Sequence, residues 1–366
     1  MPEDRERRKE RFSKKMMEIL NAGAVNLALA IGYRTGLLDA MDGLDTPLSS
    51  AEIAAAAGLH ERYAREWLGV MAAAGIVELT EGEGETERFL LPGAHGDLLT
   101  RRAGEANLGV YTQEIPLLTQ CAMEAVVDGF HTGSGVGYER YPKFQAFMTQ
   151  LADAKHRRML ISTFLPSVDG GRLVKQLQQG IRVCDVGCGE GVGLLLMAEA
   201  FPNSRFTGID LFAEPVEEAR RRARRMALHN VEILRQDASE LDADEALRES
   251  FDYVTAFDAI HDQTRPRQAL AGVWSILKPG GRFSMVDIAA DSRTARNLDH
   301  PMGAFLYTVS LMHCLPVGLV EGGEGLGMMW GRQKATALLQ EAGFYDVKVS
   351  EIPEDPFNLH FFCTRR

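Results

Sequence analysis

Val183–Gly193 reads VCDVGCGEGVG: four glycines, two acids and two cysteines directly behind a short apolar run. So bare a backbone admits three readings. A nucleotide-type ligand could lie against the main chain, Cys184 and Cys188 could form a metal or redox site, or the stretch could be a turn without a ligand. Spacing narrows them. A dinucleotide fingerprint runs G-x-G-x-x-G, whereas the glycines here stand at 187, 189, 191 and 193, with Val192 in the sixth place. The cysteines are spaced C-x-x-x-C, which is neither the redox C-x-x-C nor half of a paired metal motif. No metal is expected. Cys184 alternates with Val183 as a core residue, and Cys188 lines the loop.

Outward from this stretch, apolar runs alternate with amphipathic ones. Strands are predicted at 182–187, 205–211, 231–238, 251–260 and 281–290, with LLLMAEAF, EPVEEARRRARRMALHN and PRQALAGVWSIL as helices between them. Near-continuous apolar strands alternating with helices predict an α/β domain with a parallel sheet covered on both faces. The C-terminal FYDVKVSEIPEDPFNLHFFCTRR holds two strand-like runs joined by a short turn. So short a link cannot make a parallel crossover, so the last strand is predicted antiparallel.

In such a sheet the ligand binds at the carboxyl ends of the strands. Asp185 precedes the first glycine, where a carboxylate repels a pyrophosphate but suits an ammonium group. Asp210 ends the next strand, about 20 residues on, where an acid can accept ribose hydroxyls. Gln236-Asp237-Ala238 ends the third, beside an adenine position. Ribose, adenine and an ammonium-bearing tail without phosphates describe S-adenosylmethionine.

VCDVGCGEGVG, TGIDL, RQDA, FDYVTAFDAIHD and LKPGGRF, in that order, resemble the successive motifs of class I S-adenosylmethionine-dependent methyltransferases. The resemblance covers roughly residues 170–366 and implies a Rossmann-like seven-stranded sheet with an antiparallel last strand. It places Gly187, Cys188 and Gly189 along the methionine part of the cofactor and Asp185 near its amino group. Asp210 and Leu211 would lie at the ribose, and Asp237 and Ala238 would face adenine. Phe257, Asp258 and His261 would border the methyl donor.

Methyl transfer from a sulfonium is an in-line displacement that needs alignment and, for a hydroxyl acceptor, removal of a proton. The segment Phe257–Asp262 lacks the Asn/Asp-Pro-Pro-Tyr/Phe motif that marks base and protein-amide methylation. This favours a small-molecule hydroxyl, thiol or carbon acid. His261 lies in a stretch similar to the Leu-His-Asp segment of small-molecule O-methyltransferases, and His313 is a second candidate base. Either histidine can equally be a hydrogen-bonded or packed core residue. The plant-type pairing of the histidine with an acid is not reproduced by spacing.

Residues 1–100 are predicted as a winged-helix, dimerisation-like domain. Two helices span Phe12–Leu44 with a break at GYRTG (32–36). A short helix follows, capped by Ser49 or Ser50 and ended by Gly58. HERYAREWLGVMAAAG forms the next, with Tyr63, Trp67, Leu68 and Met71 on one side, and a hairpin follows around an acidic turn. Residues 101–170 read as a helical linker and pocket cover, broken by the glycine-rich 131–142, and residues 171–366 as the cofactor-binding domain. Within the latter, 290–330 is a lid-like insertion containing GEGLGMMWG.

The chain has 366 residues, a net charge of -11 and five scattered cysteines. Acidity disfavours binding to nucleic acid, and scattered thiols fit a reducing, cytoplasmic setting. No uninterrupted run of about 18 apolar residues appears, so no membrane span is expected. The resemblance implies a homodimer through the N-terminal domain. The rival reading is a DNA-binding winged-helix regulator with a methyltransferase-like sensor domain. Its recognition helix would carry Arg62 and Arg65 balanced by Glu61 and Glu66, and its wing would be acidic, whereas a minor-groove wing is basic.

Overall fold

The five predicted strands beyond residue 180 and the two C-terminal strand-like runs all become strands of one sheet. The structure is a computed structural model and describes residues 4–81 and 86–366. Two compact units divide the chain, Met1–Leu117 and Leu118–Arg366.

In the first unit, helix Arg5–Thr35 runs unbroken through Gly32 and stops at Gly36, which adopts a left-handed φ of 78°. The expected break at 32–36 thus falls at Gly36, and a second, short helix, Leu37–Ala40, begins directly after it. Gly32 serves packing instead: a Cβ there would strike the indole of Trp67, whose Nε1 donates to the Ala28 carbonyl at 2.7 Å. Helix Ser50–Ala57 starts on a capping box between Ser49 and Glu52 and ends at Gly58. In helix Glu61–Ala73 the buried face is Ala64, Trp67, Leu68 and Met71. Tyr63, expected on that face, is 81% exposed. It lies four residues before Trp67, but the core is already filled by Ala64 one position on. Strands β1 (Glu78–Glu81) and β2 (Glu87–Leu90) pair antiparallel. Gly82–Glu85, the tip of the expected wing, lie outside the described residues.

Helix Arg5–Thr35 stands apart in length and apolarity. It is long and apolar enough to cross a membrane by length and composition, with a window of mean hydropathy 1.3 of which 17% is buried. Isolated polar residues such as Glu18 and Asn21 interrupt the apolar run, yet its average stays high. Phe12, Met16, Leu20, Leu27 and Ile31 are exposed on it at helical spacing, which makes one uncovered apolar face.

In the second unit, β3 (Arg182–Val186), β4 (Arg205–Asp210), β5 (Val231–Arg235), β6 (Phe251–Phe257), β7 (Leu277–Ile288), β8 (Phe344–Ile352) and β9 (Asp355–Arg365) form one seven-stranded sheet. Their order is β5-β4-β3-β6-β7-β9-β8. β9 runs antiparallel to both β7 and β8, as the short connection requires. The order reverses at β3, which pairs with β4 on one side and β6 on the other. The last four residues of β3 are all buried because helices cover both faces. β7 begins four residues earlier than expected, since Leu277 pairs with Phe251 before a register shift brings Arg282 opposite Tyr253.

Two helical stretches flank the strand ends. Residues 131–142 form the expected break, with a single 3-10 turn at Tyr138–Arg140 before helix Pro142–Met159. The insertion 290–330 contains helices Gly303–Val309 and Leu315–Gly318, joined by a π-turn at Ser310–Cys314. Pro316 explains that turn. It has no N–H for the Met312 carbonyl four residues earlier, and Tyr141 Oη donates to that oxygen instead at 2.8 Å.

Candidate active site

The glycine loop after β3 is fastened to the end of β4. Gly187 and Cys188 donate their N–H groups to the Ile209 carbonyl at 2.8 and 3.1 Å. Asp210, the last residue of β4, accepts from Gly189 N–H through Oδ2 at 2.9 Å and from Phe212 N–H through Oδ1 at 3.0 Å. Gly187, Gly189 and Gly191 all have positive φ. Two have different reasons to be glycine. A Cβ on Gly187 would come within 2.5 Å of Ala259 Cβ, whereas one on Gly189 would enter open space.

Asp185 is buried under this loop and accepts from Thr255 Oγ1 at 2.7 Å. Burial pushes its carboxyl up to about 7, and it also raises Asp210. Neither carboxylate is paired with a cationic side chain among the described residues. Asp237 accepts from Ser239 N–H at 2.8 Å and so caps the 3-10 turn Ala238–Ala243. Ala238 is buried, and Leu211 is exposed at the edge. Cys184 lies in the core, while Cys188 is half-buried, its thiol kept neutral by burial.

At the end of β6, Phe257 packs edge-on against His156 at 5.0 Å and Phe164 at 5.6 Å. Asp258 takes a left-handed backbone and turns to Asn358, accepting from its Nδ2 at 2.6 Å. Its carboxylate therefore faces β9.

His261 is 3% exposed, and its Nδ1 donates to Asp287 Oδ1 at 2.8 Å. Asp287 comes from β7, whose carboxyl end lies beside that of β6. Burial opposes the charged imidazole, but Asp287 and Asp262 outweigh it and hold its pKa well above the ordinary histidine value. Asp262 Oδ1 lies 3.5 Å from His261 Nε2. Donor atoms of His261, Asp262 and Cys314 fall within 4.8 Å of one another, and burial pushes the Cys314 thiol up to about 12. His313 packs among Tyr138, Tyr141 and Phe144 at 5.6, 4.7 and 4.8 Å. Burial lowers its pKa, and its Nε2 is buried without a partner.

Two groups of sequence-predicted residues thus come together. Asp185, Gly187, Gly189 and Asp210 line the ends of β3 and β4, and His261 and His313 stand at the ends of β6 and β7. Tyr138 lies between them. Its ring stacks on Phe212 at 4.5 Å, and its hydroxyl is held protonated by burial and by Asp262 and Asp210. Sequence reasoning missed Asp287, Asp262, Thr255 and Tyr138. For Asp287 the signal was present: an acid in the apolar strand SMVDIAA, the same cue that exposed Asp185 and Asp210. Tyr138, inside a glycine-rich loop, gave none.

Comparison with known proteins agrees with this geometry. Residues 177–343 match a family model described as a methyltransferase domain, and residues 23–101 one described as an Rv2258c-like winged HTH domain. A demethylmenaquinone methyltransferase of Listeria welshimeri is 33% identical over 113 residues, 31% of this chain and 47% of that protein. The chain therefore spans about half the length of the curated relatives it matches. Among solved structures, human N-acetylserotonin methyltransferase in complex with SAM superposes with a TM-score of 0.65 at 16% identity, covering 100% of this chain and 99% of that one. An O-methyltransferase family protein from Burkholderia thailandensis gives 0.67 at 15% identity, covering 96% and 98%. Residues 177–343 are a methyltransferase domain carried on the class I methyltransferase sheet, and residues 23–101 are a winged helix-turn-helix domain of the Rv2258c-like kind.

Proposed function

We propose that this protein is an S-adenosylmethionine-dependent methyltransferase whose acceptor is a small molecule carrying a hydroxyl. The observation that carries the reading is the buried His261–Asp287 pair standing at the same sheet edge as the glycine loop and Asp210. The residues fit the cofactor. Asp185, buried, and Asp210, half-buried, are acids lacking cationic side-chain partners among the described residues, a costly state that a cationic, hydroxyl-bearing ligand relieves. Gly189 leaves open space where a side chain would otherwise stand. Asp185 would hold the amino group, Asp210 and Leu211 the ribose, Asp237 and Ala238 the adenine, and Gly187, Cys188 and Gly189 the methionine part.

When bound, the cofactor supplies a sulfonium methyl group for in-line transfer. The chain's own task is then to orient the acceptor and take its proton. His261 Nε2 is the proton acceptor, and Asp287 fixes the ring by holding Nδ1–H, so the free lone pair is on Nε2. Because Asp287 and Asp262 raise its pKa, His261 is a strong base that acts only once it is neutral, and turnover rises with pH. His313, whose protonated form is disfavoured by burial, lines the acceptor side with Tyr138, Tyr141 and Phe144. A thiol or carbon-acid acceptor would need His261 less.

The uncovered apolar stripe of helix Arg5–Thr35 supports a homodimer through the N-terminal unit, and five unpaired cysteines support a cytoplasmic setting. The nucleic-acid reading is weakened by the helix Glu61–Ala73. Its two arginines are engaged by their own acids, Arg62 with Glu66 at 2.5 Å and Arg65 with Glu61 at 3.2 Å.

The test is calorimetric titration with S-adenosylmethionine, followed by transfer of labelled methyl to a panel of alcohols, phenols and thiols. Micromolar binding is expected in the wild type and none in Asp210→Ala, with the far-UV spectrum unchanged. Wild-type affinity in Asp210→Ala overturns the cofactor assignment.

A further inference from the structure

GEGLGMMWG, the motif in the insertion that the site above leaves unused, carries the buried Trp330 as its next-to-last residue. Its indole Nε1–H donates to Asp287 Oδ1 at 3.0 Å. That same oxygen accepts His261 Nδ1–H at 2.8 Å and the Ile288 N–H at 2.8 Å. Asp287 Oδ2 is buried and has no partner. All three donors therefore crowd one oxygen of a buried carboxylate while the other oxygen stands empty. One carboxylate oxygen offers about two lone pairs, so each donor weakens the hold on the others.

We propose that Trp330 is a positioning residue: by sharing Asp287 Oδ1, its indole N–H sets how tightly that carboxylate holds the imidazole of His261. This rests on His261 being the proton acceptor of the reaction proposed above. Trp330 is fixed for the task. Gly327 and Gly331 on either side are both left-handed, and a Cβ on Gly331 would collide with the Asp291–Ser292 backbone just beyond β7. The turn is thus locked against the end of the strand that carries Asp287. The remaining groups facing His261 are Asp262, Asp258, His313 and Cys314, and none of them touches Trp330's N–H.

The consequence has a sign. With the indole donor removed, Oδ1 has one competitor fewer and draws His261 Nδ1–H more strongly. The imidazolium is then favoured, and His261 loses its proton only at higher pH. A donor to a charged oxygen is worth enough to move that midpoint by about one pH unit.

The experiment is an NMR titration of the imidazole of His261 in the ligand-free protein, in wild type, Trp330→Phe and Trp330→His, with the pH profile of kcat/KM beside it. Trp330→Phe is expected to move both the His261 midpoint and the acidic limb of the profile upward by about one pH unit. Trp330→His, which keeps an N–H donor, should return both towards wild type. In the wild type, the indole N–H signal of Trp330 should shift with the same midpoint as His261, a readout that needs no variant to fold. An unmoved or lowered midpoint in folded Trp330→Phe, or an indole signal indifferent to that titration, overturns the proposal. If the NMR shifts appear but no acceptor is methylated, the positioning stands and the assigned reaction falls.

Discussion

His261 and Asp287 lie 26 residues apart in sequence, yet their side chains meet at 2.8 Å in the buried space beyond β6 and β7. The neighbouring strands deliver the imidazole and carboxylate to one sheet edge. Removing either should therefore impair turnover rather than cofactor binding. His261→Gln and Asp287→Asn are each expected to lower kcat by about 100- to 10,000-fold for a hydroxyl acceptor. Affinity for S-adenosylmethionine, read by calorimetry, should stay within a few-fold of wild type. His313→Gln should act mainly on KM for the acceptor, since its ring belongs to an aromatic wall.

Asp185 gives a prediction in pH. Its carboxyl is held at about 7 in the folded chain against an ordinary 3.8. The folded state therefore binds this proton more tightly than the unfolded state, so stability falls as pH rises from about 4 to 7. Asp185→Asn should flatten that part of the stability curve in the ligand-free protein, as followed by urea unfolding at several pH values. A cationic ligand favours the ionised form. Binding should then release protons and tighten as pH rises towards 7, which calorimetry in buffers of different ionisation enthalpy would show.

Gly187 and Gly189 separate packing from binding. Both are left-handed, so an alanine at either costs about 1–2 kcal/mol in backbone strain. At Gly187 the new methyl also meets Ala259 Cβ at 2.5 Å, and Gly187→Ala should lower the melting temperature clearly. Gly189→Ala has room for its methyl, so its larger effect is expected on cofactor affinity. Equal losses of stability in the two variants would contradict this division.

The stripe Phe12, Met16, Leu20, Leu27 and Ile31 predicts assembly. Leu20, 68% exposed, is its most open member. Leu20→Glu combined with Leu27→Glu should convert a dimer into a monomer by light scattering, with the second unit's S-adenosylmethionine affinity retained. A wild-type monomer at micromolar concentration would refute the interface.

The placing of the candidate site residues at strand ends was legible because parallel sheets leave a strict signature. An apolar run buried on both faces that ends in an acid or glycine can only put that residue at the carboxyl edge. Asp185, Gly187, Asp210 and Asp237 follow from that rule. The antiparallel β9 followed from the shortness of its connection. The break between the first two helices was legible in GYRTG and falls at Gly36, while the packing of Gly32 under Trp67 is a tertiary fact. Tyr63 was misplaced for a related reason: helical spacing gives a stripe, but the neighbouring elements decide its width.

The order of elements, the sheet class and the edge at which the candidate site residues stand are written in the sequence, since these depend on local periodicity and on which residues a buried strand tolerates. The pairing of acids with histidines is set by the tertiary fold alone. The choice of Asp287 for His261, the donation of Trp330 to the same oxygen, the turning of Asp258 towards Asn358 and the placing of Tyr138 between Asp210 and Asp262 all depend on lateral strand order and on two connecting segments. Side-chain hydrogen bonds reach about 3 Å, and at that range only the packed fold, not spacing along the chain, selects partners.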